Sequence, residues 1–207
     1  MNARPVWFLD VDGVINAGRR RPREWHGIGR WERKRVLTPT KDNRGPWEIN
    51  YSNEVVKFIH AMSKVVDIIW LTSWNDDADE SLAPALFLPR GLPNGFEMAH
   101  VDSGLIDFSM WWRAKTLAIY TLLDKGDMNL PEEERIPFRD RKVIWTDDEI
   151  VRDSVEGLMK HTSAKPLCIA PLDGDGLLPE NLDAIRAYVN GDVSLPTLIG
   201  KQFESNP

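Results

Sequence analysis

Two carboxylates one residue apart, Asp10 and Asp12, follow the apolar run Val6-Trp7-Phe8-Leu9 and lead into Gly13. In an extended chain, residues i and i+2 point to the same side, so the two acids can converge on one cation or one reacting group. Held that close they repel each other, unless one is protonated or a positive charge sits between them. A magnesium ion is the economical counter-charge, because it takes a few carboxylate oxygens and keeps waters for a substrate phosphate. Gly13 lets the backbone turn sharply without a Cβ penalty. Asp and Gly also build ordinary turns after strands, so the weight of this reading depends on the rest of the chain.

Three further segments add to it. The apolar run 65–71 ends in Thr72-Ser73-Trp74-Asn75, a set of hydroxyl and amide donors. The run 142–146 ends in Asp147-Asp148-Glu149. Between them, Trp111-Trp112-Arg113-Ala114-Lys115-Thr116 brings cations to the start of an expected helix. Acid pair, hydroxyl, cation and second acid pair thus occur in that order, and each acid or hydroxyl element directly follows a buried strand. Ligands of parallel sheets gather at such strand ends.

The elements that must position these groups read as an alternation of strands and helices. Uninterrupted apolar runs suit strands covered on both faces, as in a parallel sheet. The expected fold is therefore α/β, a Rossmann-like three-layer sandwich with a central parallel sheet and right-handed crossovers. Helices are expected at 53–64, 109–125, 148–161 and 179–190, with Val55, Val56, Phe58, Ile59 and Met62 on one face of the first. An insertion at about 17–52 contains a β-hairpin, its strands 35–40 and 47–51 flanking a turn-rich patch at 41–46. Residues 124–141 are polar and proline-bearing, as in an exposed loop or a short helical excursion. The expected organisation is one domain over 1–190 and a frayed tail over 191–207.

Composition sets outer bounds. With 207 residues, 42% of them hydrophobic and 28% charged, the chain has the profile of one compact globular domain. No run approaches the roughly 18–20 apolar residues needed to span a bilayer, so no membrane partner is expected and the expected location is the cytoplasm. Cys168 is the only cysteine, which excludes an intramolecular disulfide, and its apolar neighbours read as a buried strand.

Residues 18–35 form an arginine-rich arm, Arg19, Arg20, Arg21, Arg23, Arg30 and others interleaved with Trp25 and Trp31, in a chain of net charge -6. Arginine forks grip phosphate bidentately and indoles stack on bases. A solvated loop pairing its arginines with Glu24 and Glu32 would have the same composition. His26 lacks nearby partners for a metal role. The acidic total argues against broad duplex binding but is compatible with a local grip on one nucleotide or strand end.

The motifs LDVDGVIN, WLTSW, RAKT and IWTDDE, in this order over about residues 6–170, resemble the four motifs of the haloacid dehalogenase superfamily. The finer texture is similar to the domains of that superfamily associated with RNA repair proteins. The resemblance implies a magnesium-dependent phosphatase with a minimal cap, the flap hairpin, open to a bulky substrate or a polymer end. Asp10 would be the nucleophile and Asp12 the acid/base. Thr72 and Lys115 would bind the transferring oxygens, with Arg113 and Lys142 as rivals to Lys115. Lys142 precedes its strand and should lie at the opposite sheet edge. Magnesium would be held by Asp10, the backbone carbonyl of Asp12, and Asp147 with Asp148 as helper. Ser73, Trp74, Arg19, Arg20 and Arg21 are the expected substrate contacts, the substrate being a phosphorylated nucleotide or nucleic-acid end. Trp111 and Trp112 could line the same site or pack in the core. A small-metabolite phosphatase and a noncatalytic nucleotide- or RNA-binding protein are the alternatives, and the sequence is silent on oligomeric state.

Overall fold

Strands without polar interruption need two covered faces, and the fold supplies both. A computed structural model describes residues 3–18, 21–38, 45–102, 111–200 and 203. Its centre is a parallel sheet of β1 (Val6–Leu9), β4 (Asp67–Trp70), β5 (Val143–Thr146), β6 (Leu167–Ile169) and β7 (Leu198–Ile199), in the order β4-β1-β5-β6-β7. The two remaining strands, β2 (Trp31–Val36) and β3 (Trp47–Ser52), pair antiparallel as a hairpin separate from that sheet.

Alternate residues of β1 enter different cores. Trp7 and Leu9 join Ile68, Trp70, Ile144 and Leu167 on one face, where α1 (Asn53–Met62) and α6 (Pro179–Val189) contribute Val55, Ile59, Leu182 and Ile185. Val6 and Phe8 join Ile69, Val143, Trp145 and Cys168 on the other. That face is covered by α4 (Trp111–Lys125) and α5 (Arg152–His161) through Ile119, Leu122, Val155 and Leu158. Short helices α2 (Ala83–Leu86) and α3 (Gly95–Met98) follow β4. The result is an α/β sandwich, a five-stranded parallel sheet with helices on both faces. No helix among the described residues is long and apolar enough to cross a membrane.

Local chemistry explains several boundaries. Ser52 caps α1 by accepting the Glu54 N–H at 3.2 Å, as an N-cap hydroxyl should. Pro179 occupies the first turn of α6, where its missing N–H costs nothing.

Three boundaries differ from the sequence reading. The hairpin begins at Trp31 rather than at 35, so the end of the arginine arm is strand, with Trp31 opposite Ser52. Charged residues are tolerated there because the hairpin lies outside the main sheet. Helix α5 begins at Arg152 rather than Asp148, because Asp147 accepts the Glu149 N–H at 2.9 Å and holds that stretch as a turn. The segment after Gly191 is not frayed throughout: Cys168 N–H donates to Thr197 O at 2.7 Å and Ala170 N–H to Ile199 O at 2.8 Å, adding β7 to the sheet. Two residues are too few to carry a strand signal, and the boundary at 190 does not hold.

From β1 the chain runs outward to β4 on one side and then returns to β5 on the other. Such a reversal opens a crevice beyond the carboxyl ends of the strands. Asp10, Thr72 and Asp147 all emerge there.

Candidate functional site

The acidic residues are held by the sheet itself. Asp10 donates its N–H to Thr146 O at 3.1 Å and Asp147 donates to Ile169 O at 3.1 Å, so both are the last rungs of the ladder. Beyond Asp10 the chain turns back at once, with Gly13 N–H reaching Asn16 O at 2.9 Å. Gly13 sits at φ +68°, and a Cβ on it would collide with the Asp148 carboxyl group. Glycine is required twice over at this position, for its backbone and for the close approach.

Lys115 reaches this point from α4. Its Nζ lies 2.7 Å from Asp10 Oδ2, 2.9 Å from Asp147 Oδ2 and 3.5 Å from Glu149 Oε2. Lys115, Asp10 and Asp147 are all buried. Burial alone would push the ammonium toward deprotonation, but Asp10 and Asp147 outweigh it and hold Lys115 above the usual lysine range. The lysine is therefore charged. Asp10 Oδ1 also accepts the Val11 N–H at 2.7 Å, which fixes the carboxylate plane.

One ammonium does not balance the acids around it. Asp10, Asp147 and Asp148 each offer an oxygen, and these oxygens lie within 4.8 Å of one another. Burial pushes the Asp147 carboxyl up despite Lys115, and the Asp10 charge adds to the push. Asp148 is pushed up to about 8, by burial first and then by the charges of Asp10 and Asp147. Asp147 Oδ2 is buried without a hydrogen-bond partner, although it is ion-paired with Lys115. Crowded carboxylates that outnumber their one ammonium fit a hard divalent cation, which prefers oxygen ligands.

Asp12 stands apart from this cluster. Its side chain is directed elsewhere by the turn: Oδ1 accepts from Asn16 Nδ2 at 2.8 Å and Oδ2 accepts from Trp74 Nε1 at 2.8 Å. The expectation that the Asp10 and Asp12 carboxylates converge on one cation does not hold, because the chain stops being extended after Asp10. The acids that do join Asp10 are Asp147 and Asp148, both expected there. Although part of Asp12 faces solvent, its carboxyl sits among packed neighbours and is raised above the usual carboxylate range, by that desolvation first and by Asp10 among the lesser causes, while Asn16 and Trp74 pull against the rise.

The remaining expected residues divide clearly. Thr72 is buried at the end of β4, and Ser73 beside it is exposed. Lys142 lies at the opposite edge, donating to Tyr188 O at 3.1 Å and Val189 O at 3.2 Å. Arg113 is exposed, its guanidinium over the Trp112 ring at 5.0 Å. Of the three rival cations, only Lys115 meets the acids. Trp111 packs on Phe96 with ring centroids 5.6 Å apart.

Of the expected arginine-arm contacts, only Arg21 can be placed, and it is already engaged. Arg19 and Arg20 lie outside the described residues. Arg21 is turned inward, donating to the carbonyls of Trp25 and Ile28, which holds the arm together rather than leaving a fork for phosphate. Trp25 is fully buried and donates to Leu177 O at 3.1 Å, so it is a core residue and not a stacking platform.

Asn16, Glu149 and Trp47 join the site without having been singled out. Asn16 was legible only as the residue closing the turn after Gly13, and Glu149 only as the third acid of its run. Trp47 stacks obliquely on Trp74, with centroids 6.3 Å apart and planes at 58°. Nothing local marks it, because the contact depends on how the hairpin folds over.

No family model matches the chain, and neither does any curated protein or solved structure.

Proposed function

We propose that this protein is a magnesium-dependent phosphomonoesterase of the haloacid dehalogenase type, acting through an aspartyl-phosphate on a nucleotide or nucleic-acid end phosphate. The observation that carries this reading is the close set of Asp10, Asp147 and half-buried Asp148 at the switch point of the sheet, the first two paired with the buried Lys115, with Asp12 held separately beside it. A merely structural charge cluster would be balanced, and it would not keep a second acid of the same turn outside the group.

Magnesium bound by Asp10, Asp147 and Asp148 would neutralise acid charge and draw electrons from the phosphate oxygens. An Asp10 oxygen attacks phosphorus, forming a P–O bond as the ester P–O bond breaks. Asp12 gives its proton to the departing alkoxide. Water then attacks the phosphoryl group, Asp12 takes a proton from it, and the Asp10–phosphorus bond breaks to release inorganic phosphate. Lys115 orients Asp10 and offsets negative charge at the phosphoryl group, with the Thr72 hydroxyl as a further donor. The β2–β3 hairpin serves as the minimal cap. Asp12 and Ser73 are exposed, which suits a site open to a bulky leaving group.

The test is phosphate release from a panel of aryl, sugar, nucleoside and 3′- or 5′-oligonucleotide phosphates, with and without magnesium. Release that requires magnesium and Asp10 supports the reading. No release from any of them above an Asp10→Asn control would overturn it.

A further inference from the structure

The substrate's leaving group has to sit next to Asp12, and two tryptophans stand there. Trp74 is half-buried and tied edge-on to Asp12 through its Nε1, 2.8 Å from Oδ2. Trp47, from the hairpin, packs obliquely against Trp74 and leaves 46% of its surface exposed. Its own Nε1 is anchored to Thr38 Oγ1 at 3.3 Å, within the hairpin. The hairpin is in turn fixed to the same turn as Asp12, since Asn50 N–H donates to Asn16 Oδ1 at 3.0 Å while Asn16 Nδ2 holds Asp12. Two chains of contact, one aromatic and one polar, thus run from the hairpin to a single carboxylate.

We infer that Trp47 and Trp74 form an aromatic platform for a planar ring on the leaving-group side of the phosphate ester, a nucleobase or an aryl group. The inference rests on the reading of Asp12 as the leaving-group acid. An indole whose edge is anchored to that acid presents its ring beside the departing oxygen. The second, partly exposed indole is tilted 58° from the first, so the pair forms an angled cradle in which a ring stacks on one face and meets the other at its edge. Flat π-systems stack on such surfaces whatever their hydrogen-bonding edge, so selection is for a ring and not for a particular base. Ring recognition then belongs to the hairpin and β4 end, while Arg21 and Trp25 of the arm are already engaged within the protein.

The experiment compares Trp47→Ala and Trp47→Phe with the unaltered protein, on adenosine 5′-monophosphate, an aryl phosphate and glycerol phosphate. In parallel, calorimetry measures adenosine 5′-monophosphate binding to the Asp10→Asn protein with and without Trp47→Ala. Trp47→Ala should raise KM for the two ring-bearing substrates about tenfold. It should leave glycerol phosphate unchanged, and Trp47→Phe should recover most of the loss. Equal effects on all three substrates, or none, would overturn the platform while leaving the phosphatase reading intact. If no substrate turns over but binding of the nucleotide still weakens about tenfold on removing Trp47, ring binding at Trp47 stands while the catalytic reading, and with it the leaving-group placement, is overturned. Absence of both turnover and Trp47-dependent binding overturns both.

Discussion

At the amino ends of the central strands, Arg4, Asp67 and Arg141 form a seam in which the donors are engaged. Arg4 donates to Ser63 O at 2.9 Å and Val66 O at 3.1 Å and pairs with Asp67 at 3.2 Å. Arg141 donates to Arg4 O at 2.7 Å and Pro5 O at 3.2 Å and also pairs with Asp67. At the carboxyl ends of the same strands, Asp10 and Asp147 hold Lys115 between them, Glu149 reaches it at 3.5 Å, and Asp148 adds a further carboxylate close to Asp10 and Asp147. Both edges gather charges of both signs. In the first, arginines outnumber the acid, spend donors on open carbonyls and lie partly in solvent, so no buried charge is left uncompensated. In the second, acids outnumber the cation in a place water scarcely reaches, so the group has room for a further positive charge. Charge clusters are uninformative until their balance and burial are known.

The contrast can be broken most sharply at Asp10. Asp10→Asn should lower turnover by at least about a thousandfold while the circular dichroism spectrum is unchanged. Substantial residual activity would exclude a covalent intermediate on this residue.

Lys115→Met should come next. It leaves Asp10 and Asp147 buried without their ammonium, and removing one partner of a buried pair costs about 3–5 kcal/mol. Urea unfolding would measure this, and magnesium should restore part of the loss by replacing the missing charge. A variant as stable as the parent in the absence of magnesium would show that the cluster is not under electrostatic load.

A smaller effect concerns pH. The Asp148 carboxyl is pushed up from the ordinary 3.8 to about 8 in the folded protein, so folding favours its protonated form. Its contribution to metal-free stability is complete below about pH 4 and is lost as pH rises toward 8. Metal needs the ionised form. The rise in Tm on adding saturating magnesium should therefore be larger at pH 8 than at pH 5, as read by differential scanning fluorimetry. An increment independent of pH would remove Asp148 from the metal's ligands.

The smallest effect is expected at the amino edge. Arg141→Ala should cost about 1–2 kcal/mol, from lost hydrogen bonds to carbonyls and a partly exposed pair. Turnover and the magnesium-induced shift in Tm should not change. If either does, the two edges are coupled through the strands.

Much of this was legible along the chain. The apolar stretches Val6–Leu9, Ile68–Leu71 and Val143–Trp145 announced strands covered on both faces, and each led into polar residues that the sheet brings to one edge. Lys142 could be set at the far edge because it precedes its strand. Other features were not legible. The i, i+2 rule for Asp10 and Asp12 applies only while the chain stays extended, and the turn at Gly13 ends that. Trp25 and Arg21 looked like exposed ligand-binding residues because arm and core tryptophans have no different local signature. The β7 strand is two residues long, too short for any periodicity.

The sequence by itself determined which segments alternate between strand and helix, which residues close each strand, and the order of acid, hydroxyl and cation along the chain. These depend on interactions spanning a few residues, namely hydrophobic period, turn chemistry and capping. Only the tertiary structure decided that the Asp12 side chain stays outside the acid cluster, that Lys115 and not Arg113 meets Asp10 and Asp147, and that Trp47 leans on Trp74. Those outcomes depend on the order of strands within the sheet and on the packing of a hairpin and a helix against it. Such long-range contacts are set by the burial of all elements together, and no local window of the chain contains them.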